Sequence, residues 1–144
     1  MQIGKILVPY DGSEHSKRAF SYALDLAKKY SSELVVASCI LVQDQLPEAS
    51  VPEEENLQLQ KQRDIAAKFL SVPELESEEA RVRYKGVILK TPSVTDALLS
   101  YAESNGIDMI IVGSRGLGGF KKLLLGSVAS ALSQYSKCPV LIVK

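Results

Sequence analysis

The 144-residue sequence predicts an α/β fold, a three-layer α/β/α sandwich around a five-stranded parallel sheet. Two observations predict it. Short apolar runs alternate strictly with segments of helical period, in the order βαβαβαβαβ. Such alternation builds a parallel sheet with helices on both faces. The inner runs, Leu34–Leu41 and Ile107–Val112, are almost continuously apolar, as strands buried on both faces are. With 46% hydrophobic and 24% charged residues and no linker or repeat, residues 1–144 read as one domain.

The first strand is Ile3–Val8, which Pro9 stops. Asp11-Gly12-Ser13 turns the chain. Ser13 is placed to cap a helix over Ser13–Tyr30, where Ala19, Ala23, Leu26, Ala27 and Tyr30 recur at helical spacing. Leu34–Leu41 is the second strand. A polar loop, Gln43–Pro52, leads to a helix over Glu53–Leu70. Its first turn is acidic, as the helix dipole favours, and its apolar face is Ile65, Ala66, Phe69 and Leu70. Val72–Glu79 reads as another polar loop.

The third strand lies within Arg81–Leu89. There Arg81, Arg83 and Lys85 alternate with apolar positions, which marks an edge strand. Ser93-x-x-Asp96 resembles a capping box. Val94, Ala97, Leu98, Tyr101 and Ala102 form the stripe of the third helix, which Asn105-Gly106 ends. Ile107–Val112 is the fourth strand. Val128, Ala131, Leu132 and Tyr135 form the stripe of the last helix, and Pro139–Val143 closes the sheet.

Between the fourth strand and the last helix stands Gly113-Ser-Arg-Gly116, then nine residues, then Gly126-Ser127. A glycine-rich loop between a strand and a helix suits phosphate. Glycines let the backbone approach an anion, and the helix start offers free N–H groups and a positive dipole end. The loop is not a P-loop, because it lacks Gly-Lys-Ser/Thr. Nor do Gly116, Gly118 and Gly119 make a dinucleotide fingerprint. In open parallel sheets, ligands sit beyond the carboxyl ends of the strands, where strand order reverses. If the first and fourth strands are neighbours there, Pro9–Asp11, Cys39–Ile40 and Gly113 converge on one crevice. A nucleotide would then lay its phosphates on the glycine loop and its base toward the second strand.

Seventeen basic and seventeen acidic residues leave no net charge, so neither a nucleic-acid nor an anionic-membrane partner is expected. No apolar run reaches the ~20 residues that span a bilayer. Cys39 and Cys138 lack any disulfide or metal spacing, so a reducing cytoplasm is the expected setting.

Four segments carry a resemblance that runs end to end. They are Lys5-Ile-Leu-Val-Pro-Tyr-Asp-Gly-Ser-Glu14, Asp108-Met-Ile-Ile-Val-Gly-Ser-Arg-Gly116, Leu125-Gly-Ser-Val128 and Lys137-Cys-Pro-Val-Leu-Ile-Val143. Together they resemble the universal stress protein family, specifically its ATP-binding subgroup, whose G-x2-G-x9-G-[ST] motif is present in full. The resemblance implies a Rossmann-like, adenine nucleotide alpha hydrolase-like sheet of order 3-2-1-4-5. It implies ATP at the switch point, with Mg²⁺ or Mn²⁺ a candidate companion, and a homodimer paired through the last strand.

The same resemblance implies nucleotide contacts from Pro9 and Asp11 and adenine contact by the main chain of Cys39. It implies close backbone approach at Gly113, Gly116 and Gly126, and phosphate contacts from Ser127 and the Val128 N–H. Other readings stand beside these. Asp11 also reads as a turn residue, Ser127 as an N-cap, and Arg115 as either a phosphate ligand or a solvated loop residue. Lys121 and Lys122 make the loop locally basic. Ala129 stands where relatives often carry Ser or Thr. His15, the single histidine, has no partner at a spacing that supports catalysis. The expected function is an ATP-binding regulator in stress response. The alternatives are a slow ATPase or adenylate-handling hydrolase, and a nucleotide-free interaction module. Gly113→Val is expected to block the crevice while the fold survives.

Overall fold

The computed structural model describes residues 2–43, 52–116 and 125–144. Nine elements alternate along the chain: β1 (Lys5–Pro9), α1 (Glu14–Tyr30), β2 (Glu33–Leu41), α2 (Glu53–Glu79), β3 (Tyr84–Thr91), α3 (Val94–Ser104), β4 (Met109–Gly113), α4 (Ser127–Tyr135) and β5 (Val140–Val143). The sheet order is β3-β2-β1-β4-β5 and every neighbouring pair is parallel. Most of the Gln43–Pro52 loop, and Lys121 with Lys122, lie outside the described residues.

Two hydrophobic layers hold the sandwich. On one face Ile6, Val8, Leu34, Val36 and Ile111 pack against Ala19, Phe20, Ala23 and Ala27 of α1 and Leu70 of α2. On the other, Leu7, Val35, Ala37, Ile110 and Val112 pack against Leu98 and Ala102 of α3 and Ala129 and Leu132 of α4. The alternation of β1 explains the split: Ile6 and Val8 face one side, Leu7 the other. Among the described residues, no helix is long and apolar enough to cross a membrane.

The helix ends follow their local chemistry. Ser13 caps α1 by accepting the Ser16 N–H at 3.2 Å. Ser93 caps α3 by accepting from Asp96 N at 3.3 Å. Gly106 adopts φ +64° just beyond Asn105, the left-handed step that ends α3.

Helix α2 departs from expectation. It runs through Val72–Glu79 instead of stopping at Leu70. Pro73 cannot donate to the Phe69 carbonyl, a defect that costs about 3 kcal/mol or more in a helix interior. Two features offset it. Pro73 is fully buried and shares the inward face with Ala66, Leu70 and Ser77. The Tyr84 hydroxyl donates to the Leu70 carbonyl at 3.0 Å, one turn before the proline. The inward stripe also differs from the one expected: Ala66 and Leu70 are buried, Ile65 is exposed, and the Phe69 ring lies against the Gly12 turn.

β3 starts later than expected for a related reason. Arg81 takes a left-handed φ of 59°, and the Val82 N–H still bonds the Ser77 carbonyl at 2.9 Å, so the chain is still leaving α2. It is an edge strand, as its alternating charges imply.

Candidate functional site

The reversal of strand order falls between β1 and β4. From β1 the chain winds through α1 to β2, and from β4 through α4 to β5 on the other side. Ile6 pairs Met109 and Leu7 pairs Ile110, so β1 and β4 finish side by side at Pro9 and Gly113. Pro9 pairs Ala37 on β2, which carries Cys39 two residues beyond the end of β1. The segments expected to converge, Pro9–Asp11, Cys39 and Gly113, therefore all lie at the carboxyl edge of the sheet.

Asp11 is held by its own turn, with Oδ1 accepting the Ser13 N–H at 2.9 Å. Its other oxygen faces the glycine loop. A Cβ on Gly116 would stand 2.7 Å from Asp11 Oδ2. Only glycine leaves room there without moving the carboxylate. The turn-residue reading of Asp11 and its place in the crevice are thus compatible, because one oxygen serves each.

The two ends of the glycine motif close on each other. Gly126 N–H donates to the Ser114 carbonyl at 2.6 Å. A Cβ on Gly126 would lie 3.1 Å from that oxygen and 3.3 Å from Arg115 Cα. Half-buried Arg115 sits within this closure. The closure brings the start of α4 beside Gly113–Gly116.

Ser127 does not cap α4. Gly126 is the N-cap, it has no side chain to cap with, and Ser127 is the exposed first helical residue. The first N–H groups of α4, that of Val128 among them, have no acceptor within the helix. No acidic residue stands in the first turn to balance the dipole. The Val128 side chain packs on the core, and Ala129 is buried. This helix end has the features of an anion seat, and Ser127 adds a hydroxyl to it.

Gly113 also has a structural role that the sequence did not suggest. A Cβ there would lie 2.8 Å from both the carbonyl carbon and oxygen of His15. Its missing side chain makes room for the first turn of α1, so Gly113→Val strikes the fold before it strikes any ligand. Cys39 is half-buried, its side chain lies against the α3–α4 layer, and burial pushes its thiol up to about 11. Burial also raises the phenol of Tyr10, with the carboxylates of Glu76 and Asp11 adding to the shift.

Two residues had no role assigned from sequence. Ser114 is buried, and its Oγ lies 3.1 Å from His15 Nδ1. Ser114 was visible only as an unremarked member of the glycine motif, and His15 only as a lone histidine near the crevice. Their separation of 99 positions hides the contact. Among the described residues, no cluster of three or more His, Cys, Asp or Glu groups is arranged to hold a metal. Asp11 is a carboxylate that could share a divalent cation with bound phosphates.

Comparison with known proteins agrees with this architecture. A model of the Universal stress protein family matches residues 2–144. Universal stress protein YxiE of Bacillus subtilis is 33% identical over 154 aligned positions, covering 97% of this chain and 98% of the relative. The solved structure of hypothetical protein MJ0577 superposes with a TM-score of 0.87 at 30% identity, covering 100% of this chain and 97% of that one. A universal stress protein family member from Arabidopsis thaliana, solved with AMP bound, has a TM-score of 0.71 at 20% identity, covering 98% and 91%. With its sheet order, its closed glycine motif and a family match over nearly its full length, this chain belongs to the universal stress protein family.

Proposed function

We propose that this protein binds ATP at the β1–β4 switch point and acts as a nucleotide-dependent regulator in stress response. One observation carries the reading. Asp11, Gly116 and the uncapped start of α4 are brought together by close contacts at residues 116 and 126, where the absence of a side chain leaves room. The first N–H groups of α4 and the Ser127 hydroxyl would take the phosphates. Asp11 would meet the ribose or a Mg²⁺ or Mn²⁺ ion held between phosphates. The main chain around Pro9 and Cys39 would face the base. The AMP bound by the Arabidopsis relative supports an adenine nucleotide as the ligand class. The test is to release and chromatograph any nucleotide from the purified protein, then titrate ATP, ADP and AMP by calorimetry with and without Mg²⁺. Saturable binding is expected; a flat titration would leave a nucleotide-free interaction module.

The dimer belongs to the same proposal. β5 is an edge strand of the sheet, and its Leu141 is 37% exposed. An exposed apolar edge needs cover, and antiparallel pairing of two β5 strands about a two-fold axis supplies it. Light scattering at micromolar concentration should give twice the chain mass, and a monomer there would count against the pairing.

A further inference from the structure

Ser114 is a junction of three elements through three different groups. Its N–H donates to the Val143 carbonyl of β5 at 2.8 Å. Its carbonyl accepts the Gly126 N–H at 2.6 Å, which fixes the N-cap of α4. Its hydroxyl meets His15 Nδ1 in the first turn of α1 at 3.1 Å. The first two are backbone bonds, made by any residue at this position. The third depends on both side chains.

His15 is well placed to make it. Gly113 lets the His15 backbone approach within the space a Cβ would fill, so the imidazole is anchored at its own main chain. Ser114 is only 3% exposed, so water is a poor substitute partner for its hydroxyl. A hydrogen bond in such a place resists rearrangement more than one at the surface.

We propose that His15 is a positioning residue for the nucleotide site, acting through Ser114. Its Nδ1 holds the Ser114 hydroxyl. That adds a side-chain tie from α1 to the two backbone bonds already holding Ser114, and so steadies the carbonyl that seats Gly126 and the start of α4 relative to Asp11. The ligand is the adenine nucleotide of the preceding section, so the inference rests on that reading. His15 itself touches no phosphate in this scheme. It sets the spacing between Asp11 and the anion seat at the start of α4, and its loss loosens that spacing without unfolding the protein.

The chemistry of the ring gives a discriminating test. An asparagine side chain places its amide near the position of Nδ1, whereas a glutamine reaches toward Nε2. His15→Asn can keep the bond to Ser114, and His15→Gln cannot. ATP affinity is measured by calorimetry for wild type, His15→Asn, His15→Gln, Ser114→Ala and the His15→Gln/Ser114→Ala double variant, each with a thermal melt. His15→Gln and Ser114→Ala are expected to bind about fivefold more weakly, the worth of roughly one neutral hydrogen bond. The double variant should be no weaker than either single one, because both remove one contact. His15→Asn should bind within about twofold of wild type by the same reckoning. Wild-type affinity in His15→Gln and Ser114→Ala, or additive losses in the double variant, would overturn the inference and leave the nucleotide site standing. A wild-type protein that binds no ATP would overturn both.

Discussion

Gly113→Val is expected to lose at least about 3 kcal/mol of stability, the upper end of what overpacking a core usually costs. A Cβ at residue 113 would sit 2.8 Å from the carbonyl carbon and oxygen of His15 and 2.9 Å from its Cβ. These atoms are backbone or fixed to it, so no rotamer change relieves the contact. Relief requires α1 to lift from β4, and α1 buries Ala19, Phe20, Ala23 and Ala27 in the core. Valine adds two methyl groups to the same collision. For a domain of this size the loss corresponds to a fall of roughly 10 °C in melting temperature. Differential scanning calorimetry of the apo protein reads it directly. A variant that melts with wild type would mean that α1 can shift without cost. Loss of nucleotide in Gly113→Val therefore reports a displaced helix and says nothing about ligand contact. Gly116 is the cleaner position for a steric test. It is exposed, and its nearest obstacle is the tip of the Asp11 side chain.

What was legible in the chain was whatever is encoded locally. Ser13 and Ser93 announced two helix starts because a cap acts within three residues. Asn105-Gly106 announced an end because the left-handed step is made by one residue. The parallel sheet was legible because strands buried on both faces lose their alternation. Pro73 misled because its cost is local while its compensation is not. The Tyr84 hydroxyl that serves the Leu70 carbonyl comes from another element, and so does the core that buries the ring. Ile65 misled because an apolar side chain need not be covered, and Phe69 because it covers the Gly12 turn. At the candidate site, the glycine spacing singled out the loop but not what each glycine avoids. Gly116 clears Asp11, Gly126 clears Ser114 and Gly113 clears His15, and the first and last of these partners are distant in sequence. The bond between Ser114 and His15 was hidden for the same reason.

Ser127→Asp should move stability and nucleotide affinity in opposite directions. Helix α4 begins at Ser127 with a glycine N-cap, no side-chain cap and no acidic residue in its first turn. An aspartate there meets the positive end of the dipole and can accept from N–H groups that have no helical partner, a gain of about 0.3–1 kcal/mol. The apo protein should melt slightly higher. If phosphates occupy the same helix end, that carboxylate faces them directly. Two unit charges about 5 Å apart repel by roughly 0.8 kcal/mol in water and roughly 3.3 kcal/mol at the dielectric of a protein surface. Ser127 is exposed, which places the effect between those limits, and a triphosphate brings several charges. ATP should bind about 10- to 100-fold more weakly, AMP less so, and added salt should recover part of the loss. Ser127→Asn, neutral and similar in size, separates charge from shape and should bind ATP within a fewfold of wild type. The paired measurement is a thermal melt of the apo protein and a calorimetric titration of each variant. A raised melting temperature with unchanged ATP affinity would place the phosphates away from α4. A helix end stabilised for the empty protein yet spoiled for the loaded one is what separates an anion seat from an ordinary uncapped helix.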